Sequence, residues 1–301
     1  MKFAERLGVA WQVLIDRRYL HVPRGHPYSP LPSPDDLDRV EADPGGATVS
    51  DDAFPGIDLR LDRQWSLVTE LIAAFPDMAA WMASDEPARY RYDNTWFTGS
   101  DALVCALVIA YLTPARIVEV GCGYSSALAL DVADRTGASS RVTFIDPDPQ
   151  RLRSLVAATD LDGRLEPTPV QDVDPAVFRD LRAGDVLCID SSHVMRAGSD
   201  VHYLLLEVIP TLASGVWIHV HDVFAAFSYP RRWLRSGVAV NEAYALRALL
   251  VGNTGLEVVL WNAALEIHDP QRWAGVVAGL PPAQVETGGL WIRTTGGAAG
   301  H

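Results

Sequence analysis

Two short stretches of this 301-residue chain carry residues able to hold a metal or move a proton: Asp190-Ser191-Ser192-His193 and His219-Val220-His221-Asp222. Each stands at the end of a short apolar run, Val186–Ile189 in one case and Val216–His221 in the other. Such runs read as buried strands. Side chains alternate along a strand, so His219 and His221 share one face, with His221 and Asp222 at the carboxyl end. If the two strands are neighbours, Asp190, His221 and Asp222 converge on one point. A mixed nitrogen and oxygen set of this kind suits a divalent cation. Each residue also has a plainer role. Asp190 would cap the following turn, His193 would be a surface or core-satisfied histidine, and His219, set further back, a hydrogen-bonded structural one.

A third stretch, Ile117-Val118-Glu119-Val120-Gly121-Cys122-Gly123-Tyr124-Ser125-Ser126, is an apolar run ending in a turn with two glycines, followed by an apolar helix. Glycine suits a turn where a Cβ would block the backbone or a ligand. The next strand ends at Asp146, where an acid can accept from both ribose hydroxyls. Gln171-Asp172-Val173 follows the third strand. There Asp172 would either accept from an adenine amino group or cap a helix. A nicotinamide-binding Rossmann fingerprint needs a third glycine for close helix–strand packing, and position 126 is serine.

The elements that must position these residues form a regular alternation. Strands are expected at Arg116–Val120, Arg141–Ile145, Arg164–Pro167, Val186–Ile189, Val216–His221, Leu256–Trp261 and Leu290–Arg293. Helices are expected at about 125–135, 149–159, 174–181, 199–212 and 240–252, with the last two strands joined without a strong helix. This predicts an α/β fold: a doubly wound, mostly parallel seven-stranded sheet, Rossmann-like, with an antiparallel final strand. Ahead of it come a short amphipathic helix over 1–20, an irregular Pro- and Gly-rich arm over 21–56, and a helix over 60–83. A polar and aromatic segment over 84–98 leads to a helix over 99–112 capped by Ser100. The domains expected are an N-terminal arm and helical cap at 1–98, a catalytic domain at 99–295 and a flexible tail at 296–301.

Composition narrows the function. A net charge of −13 argues against nucleic acid and against an anionic membrane surface as partners. No apolar run reaches the roughly 20 residues of a membrane helix. Cys105, Cys122 and Cys188 make neither a disulfide framework nor a zinc spacing. Without a secretory signal pattern, a reduced, cytoplasmic setting is expected. Lys2 is the sole lysine, which leaves none as a base in the body of the fold. The aromatic and arginine-rich segment 223–237 reads as a substrate-facing loop in which Arg231 or Arg232 would bind a carboxylate or phosphate, or as an ordinary anchored surface loop.

Glu119-Val120-Gly121-Cys122-Gly123 resembles motif I of class I S-adenosylmethionine-dependent methyltransferases. The resemblance implies cofactor contacts from Glu119, Gly121, Gly123, Tyr124, Ser125, Asp146 and Asp172, with Glu119 near the amino-acid end. The chain is also similar to the bacterial methyltransferase 24 type, through Gly25-His26-Pro27-Tyr28-Ser29-Pro30, Arg89-Tyr90 with Asn94, the glycine turn, Ile189–His193 and His219–Asp222. Asp190, His193 and the pair His221-Asp222 fall where animal catechol O-methyltransferase has an acid, a lysine base and its Asp-Asn metal pair. That implies His193 as the catalytic base and a cation on Asp190, His221 and Asp222. An imidazole has an ordinary pKa of about 6.5 and works near neutrality. Histidine in place of an acid leaves magnesium, manganese, iron and zinc all open. His26, Tyr28, Trp96 and Phe97 would close over the cofactor. The function expected is O-methylation of a small-molecule hydroxyl, with a homo-oligomer left open. The alternatives are an iron-dependent enzyme on the same fold, using His221, His219 and carboxylates, or a non-catalytic binding module.

Overall fold

The protein's structure, a computed structural model, describes residues 22, 25–42, 49–283 and 285–296. The helix expected over 1–20 lies outside them, as does the tail beyond Gly296. Of the described residues, those up to 42 together with 230–239 form one compact unit; those in 49–229 and 240–296 form the other.

In the first unit the arm holds a nine-residue helix, α1 (Pro34–Ala42), where the sequence suggested irregular chain. Its start is a reciprocal cap. Ser33 Oγ accepts from the Asp36 N–H at 3.1 Å, and Asp36 Oδ2 accepts from the Ser33 N–H at 2.9 Å. Pro34 supplies a preset φ at the first helical position.

The second unit opens with α2 (Leu61–Ala74) and α3 (Met78–Met82), separated at Phe75-Pro76, where proline ends the periodic run. Next comes α4 (Gly99–Leu112). Its N-cap is Thr98 rather than Ser100, whose Oγ instead meets Thr287 Oγ1 at 3.2 Å. The alternation follows as β1 (Arg116–Val120), α5 (Tyr124–Thr136), β2 (Arg141–Ile145), α6 (Gln150–Leu155), α7 (Ala158–Leu161), β3 (Leu165–Glu166), α8 (Ala176–Arg179) and β4 (Val186–Ile189). Then come α9 (Asp200–Tyr203) and β5 (Trp217–Val220). The helix after Ser199 turns from α to π over 204–208 and to 3-10 over 209–211. Pro210 has no N–H to continue the α ladder. In the first unit, α10 (Arg231–Ser236) forms where a loop was expected. The second unit ends with α11 (Glu242–Leu250), β6 (Leu256–Trp261), α12 (Asn262–His268), α13 (Pro270–Val276) and β7 (Leu290–Thr294). The last two strands are thus joined through two helices. Each is seven residues long, too short for periodicity to show, and Asp269-Pro270 ends one and caps the next.

The sheet runs β3-β2-β1-β4-β5-β7-β6, parallel except for β7, which is antiparallel to both neighbours. The expected fold is therefore the observed one. β4 is buried at every position, and β1 from Ile117 onward, as befits parallel strands covered on both faces. Strand order reverses between β1 and β4, which opens a crevice beyond their carboxyl ends. Among the described residues no helix is long and apolar enough to cross a membrane.

Candidate active site

The glycine turn after β1 is fixed by contact with the neighbouring strand. Gly121 has φ +80°, and a Cβ there would sit 1.8 Å from the Asp190 carbonyl oxygen. The turn that begins the first βα unit therefore touches the backbone at the end of β4. Asp146, at the end of β2, ties the turn from the other side. Its Oδ2 accepts from the Cys122 N–H at 2.9 Å and its Oδ1 from the Asp148 N–H at 2.8 Å.

A cleft of about 380 Å³ opens beside this turn. Gly121, Asp146, Pro169, Gln171, Asp190 and Arg196 are among its walls. Asp172 is exposed in the 3-10 turn Val170–Asp172 and is not among the lining residues; its neighbour Gln171 is. Gln171 Nε2 donates to the Gly198 carbonyl at 2.8 Å. Tyr124 and Ser125 begin α5, and Ser125 Oγ donates to Glu119 Oε1 at 2.5 Å. The second oxygen, Glu119 Oε2, is buried without a partner. Burial lifts the Glu119 carboxyl to about 7, helped by Asp190 and Asp146 and opposed by hydrogen bonds from Ser125 and Ser126.

The residues predicted after β4 and β5 do meet. His193 Nε2 lies 3.4 Å from Asp190 Oδ1 and 3.3 Å from Asp222 Oδ2. His221 Nδ1 lies 3.6 Å from Asp190 Oδ1 and 3.4 Å from Asp222 Oδ1. Both imidazoles thus edge the same two carboxylates. Asp190, His193 and Asp222 each offer a ligand atom within 4.8 Å of the others. His221 Nδ1 is buried without a hydrogen-bond partner. His193 and Asp222 both hold left-handed backbone, with φ 57° and 56°. Non-glycine residues seldom adopt it, and such strain gathers at functional sites.

Two acids stand behind the imidazoles. Glu242, at the start of α11, is 2.8 Å from His193 Nδ1. Asp101, in the first turn of α4, is 3.8 Å from His221 Nε2. Asp101 also accepts from the Gly288 and Gly289 N–H groups and from Asn262 Nδ2, at 2.7–2.9 Å. Gly289 leaves room for this approach, since a Cβ there would lie 2.9 Å from Asp101 Oδ1. Sequence reasoning missed both acids. Glu242 reads as an ordinary first-turn helix acid; Asp101 carried a signal as a lone acid in an apolar helix.

The charges follow from this crowding. Burial alone would pull the His193 ring down, but hydrogen bonds to Asp190 and Glu242 outweigh it and raise the ring to about 10. Burial likewise opposes charge on His221, and Asp222 and Asp190 reverse it, so that this ring also titrates well above the usual imidazole range. Asp190 is held well below the usual carboxylate range. Burial would raise it, but the charge on His221 and the hydrogen bonds from His193 and His221 outweigh that and hold it down. His219 behaves differently. Burial and the charge on His221 depress it to about 3, it packs at 4.6 Å from the Trp291 ring, and both its nitrogens lack partners.

Asn94 builds the turn that roofs the cluster. Its side chain accepts from the Trp96 and Phe97 N–H groups at 2.9 and 2.7 Å and donates to the Arg91 and Phe97 carbonyls. Arg89 anchors this segment to Asp131, Asp134 and Asp160 at 2.7–3.0 Å. Phe97 is buried with its ring 5.3 Å from His221. Trp96 is 55% exposed and stacks on Arg151, whose guanidinium carbon lies 3.5 Å from the ring centre. In the other unit, Tyr28 is exposed with its N–H on His26 Nδ1, and Arg231 lies 3.7 Å from Asp38.

A family model described as a methyltransferase domain matches residues 118–223. An uncharacterized protein of Archaeoglobus fulgidus is 31% identical over 163 residues, covering 53% of this chain and 73% of its own. Among solved structures, the SAH-bound methyltransferase PaMTH1 of Podospora anserina is similar at 17% identity and a TM-score of 0.40, over 87% of this chain and 97% of that one. A putative O-methyltransferase from Klebsiella pneumoniae is similar at 14% identity and a TM-score of 0.41, over 78% and 98%.

Proposed function

The chain belongs to the methyltransferase-domain family as an S-adenosylmethionine-dependent methyltransferase, and from that premise we propose that its acceptor is a hydroxyl of a small molecule and that a divalent cation assists. The supporting observation is the double position of Asp190. It lines the cleft beside the glycine turn and also contacts both imidazoles of the buried cluster. Donor and acceptor groups would therefore meet at this residue.

When bound, the donor would supply an electrophilic methyl on a sulfonium; the acceptor oxygen would take the methyl as its hydroxyl proton leaves, with S-adenosylhomocysteine as the other product. Asp146 has the capacity to hold the ribose: a carboxylate offers about four acceptor positions, and only two are occupied by backbone N–H groups. Pro169 and Val170 give the adenine an apolar wall, and Gln171, with its amide nitrogen engaged, keeps its carbonyl for the adenine amino group. Glu119 Oε2, buried and unpartnered, suits the α-ammonium.

A dication on Asp190, Asp222 and His193 or His221 would orient the acceptor hydroxyl and lower its pKa. The residues fit such an ion: compact mixed donors, an unpartnered His221 nitrogen, Glu242 hydrogen-bonded behind the His193 ring and Asp101 3.8 Å from His221 Nε2. His193 near pKa 10 is a cation at neutrality and cannot accept a proton in that state. Competition for its carboxylates would release that proton and leave a ring able to act as ligand or base. General-base catalysis is typically worth about 10²–10⁴-fold.

The test is methyl transfer from labelled donor to a panel of hydroxylated small molecules, read by mass spectrometry with and without chelator. Methylated product that falls about 10²-fold or more in Asp190→Asn supports the proposal. Undiminished transfer in Asp190→Asn and under chelation refutes the metal-assisted mechanism, and methylation confined to nitrogen or carbon refutes the hydroxyl acceptor.

A further inference from the structure

The amino-acid end of the methyl donor carries two charges, an ammonium and a carboxylate. Glu119 answers the first. The carboxylate calls for N–H donors, and a guanidinium supplies them together with the opposite charge. Arg89 is taken up by three carboxylates and Arg116 pairs with Asp185. Arg196 borders the cleft close to Gly198, whose carbonyl receives Gln171, and so lies toward the adenine wall.

Arg151 stands at the other end. Its side chain crosses the glycine turn so closely that a Cβ on Gly123 would lie 2.9 Å from its Cδ. Its guanidinium is spread on Trp96 and has no carboxylate partner among the described residues. Stacking on the indole fixes the plane and leaves the N–H edge available for a planar anion. Trp96 and Phe97 are consecutive, yet one touches Arg151 and the other His221. That dipeptide therefore spans from the glycine turn to the buried cluster, across the interval where the amino-acid end must lie if the sulfonium is to face the cluster.

We propose that Arg151, aligned by Trp96, binds the α-carboxylate of S-adenosylmethionine and with Glu119 forms a two-charge receptor for the amino-acid end. The assignment rests on the donor site described above. Trp96 acts as a positioning residue, through Arg151.

Calorimetry with two probes tests it without any turnover: S-adenosylhomocysteine, which has the amino-acid end, and 5′-methylthioadenosine, which lacks it. Arg151→Gln is expected to weaken S-adenosylhomocysteine by about 10- to 100-fold, the range of a lost charged hydrogen bond, and to leave methylthioadenosine within about twofold. Arg151→Lys restores part of the loss, because it returns the charge without the fork. Trp96→Leu gives a smaller loss confined to the same probe. Arg196→Gln serves as the control and shifts both probes alike or neither. An unchanged S-adenosylhomocysteine affinity in Arg151→Gln overturns the assignment, and so does an equal fall for both probes. If the wild-type protein binds neither probe, the donor site itself is wrong and the receptor falls with it.

Discussion

Replacing Glu119 by glutamine should make the empty protein more stable and the donor complex weaker. Burial raises this carboxyl from 4.5 to about 7. At about 1.36 kcal/mol per pH unit, the displacement corresponds to about 3 kcal/mol, an upper figure because solvent relaxes around a charged group. The sign is that of a raised acid. The contribution to stability is fully present below pH 4.5 and is lost as the pH climbs through about 7, where the folded protein must hold a buried charge with one oxygen unpartnered. Glutamine keeps the shape and the Ser125 hydrogen bond and carries no charge. Glu119→Gln should therefore match the wild type near pH 4.5 and exceed it at pH 8. Denaturant titrations at the two pH values measure the difference. At about 2–4 °C per kcal/mol, a gain of even half the upper figure would be visible as a higher Tm. Calorimetry with S-adenosylhomocysteine should show the opposite change, a fall of about tenfold or more from the lost ammonium partner. A variant less stable than wild type at pH 8, or one that binds S-adenosylhomocysteine equally well, refutes the reasoning.

Two other outcomes are expected. Divalent-cation affinity should rise about tenfold per pH unit between pH 6 and 8, because a ring that titrates at about 10 must release a proton for each imidazole that becomes a ligand; isothermal titrations in buffers of different ionisation enthalpy count the protons, and a flat pH profile removes His193 and His221 from the ligand set. Gly121→Ala should yield little folded protein, since its Cβ meets the Asp190 carbonyl in a left-handed conformation; a soluble variant with a Tm within about 3 °C of wild type would show that the two loops are not in the contact described.

Much of this arrangement was legible in the sequence because it follows from short-range rules. Buried parallel strands are apolar on both faces, so β1, β2 and β4 could be bounded to the residue, and the short apolar run of the edge strand β6 bounded it as well. His221 and Asp222 were found by strand alternation, and Asp190 because it ends the preceding apolar run. The unread features depend on contacts between distant residues. Glu242 is 49 positions from His193, and Arg89 reaches 42 to 71 positions to its acids. Nothing local distinguishes such side chains from solvated surface charges. The same limit applies to His193: the sequence implied an ordinary imidazole base, whereas three surrounding carboxylates hold it as a cation. Asp172 shows the converse. Its spacing suited the cleft, but the 3-10 turn presents Gln171 instead.

The left-handed backbone at His193 and Asp222 has a bearing on the protein's survival in a cell. Each such residue costs on the order of 1–3 kcal/mol, against a total stability that is typically about 5–15 kcal/mol. Both residues are among the proposed ligands, so an ion that bound only the folded form would offset the strain by mass action. Protein made during metal scarcity would then be the more readily opened and degraded fraction. Metal supply would govern how many molecules persist as well as how fast each one turns over.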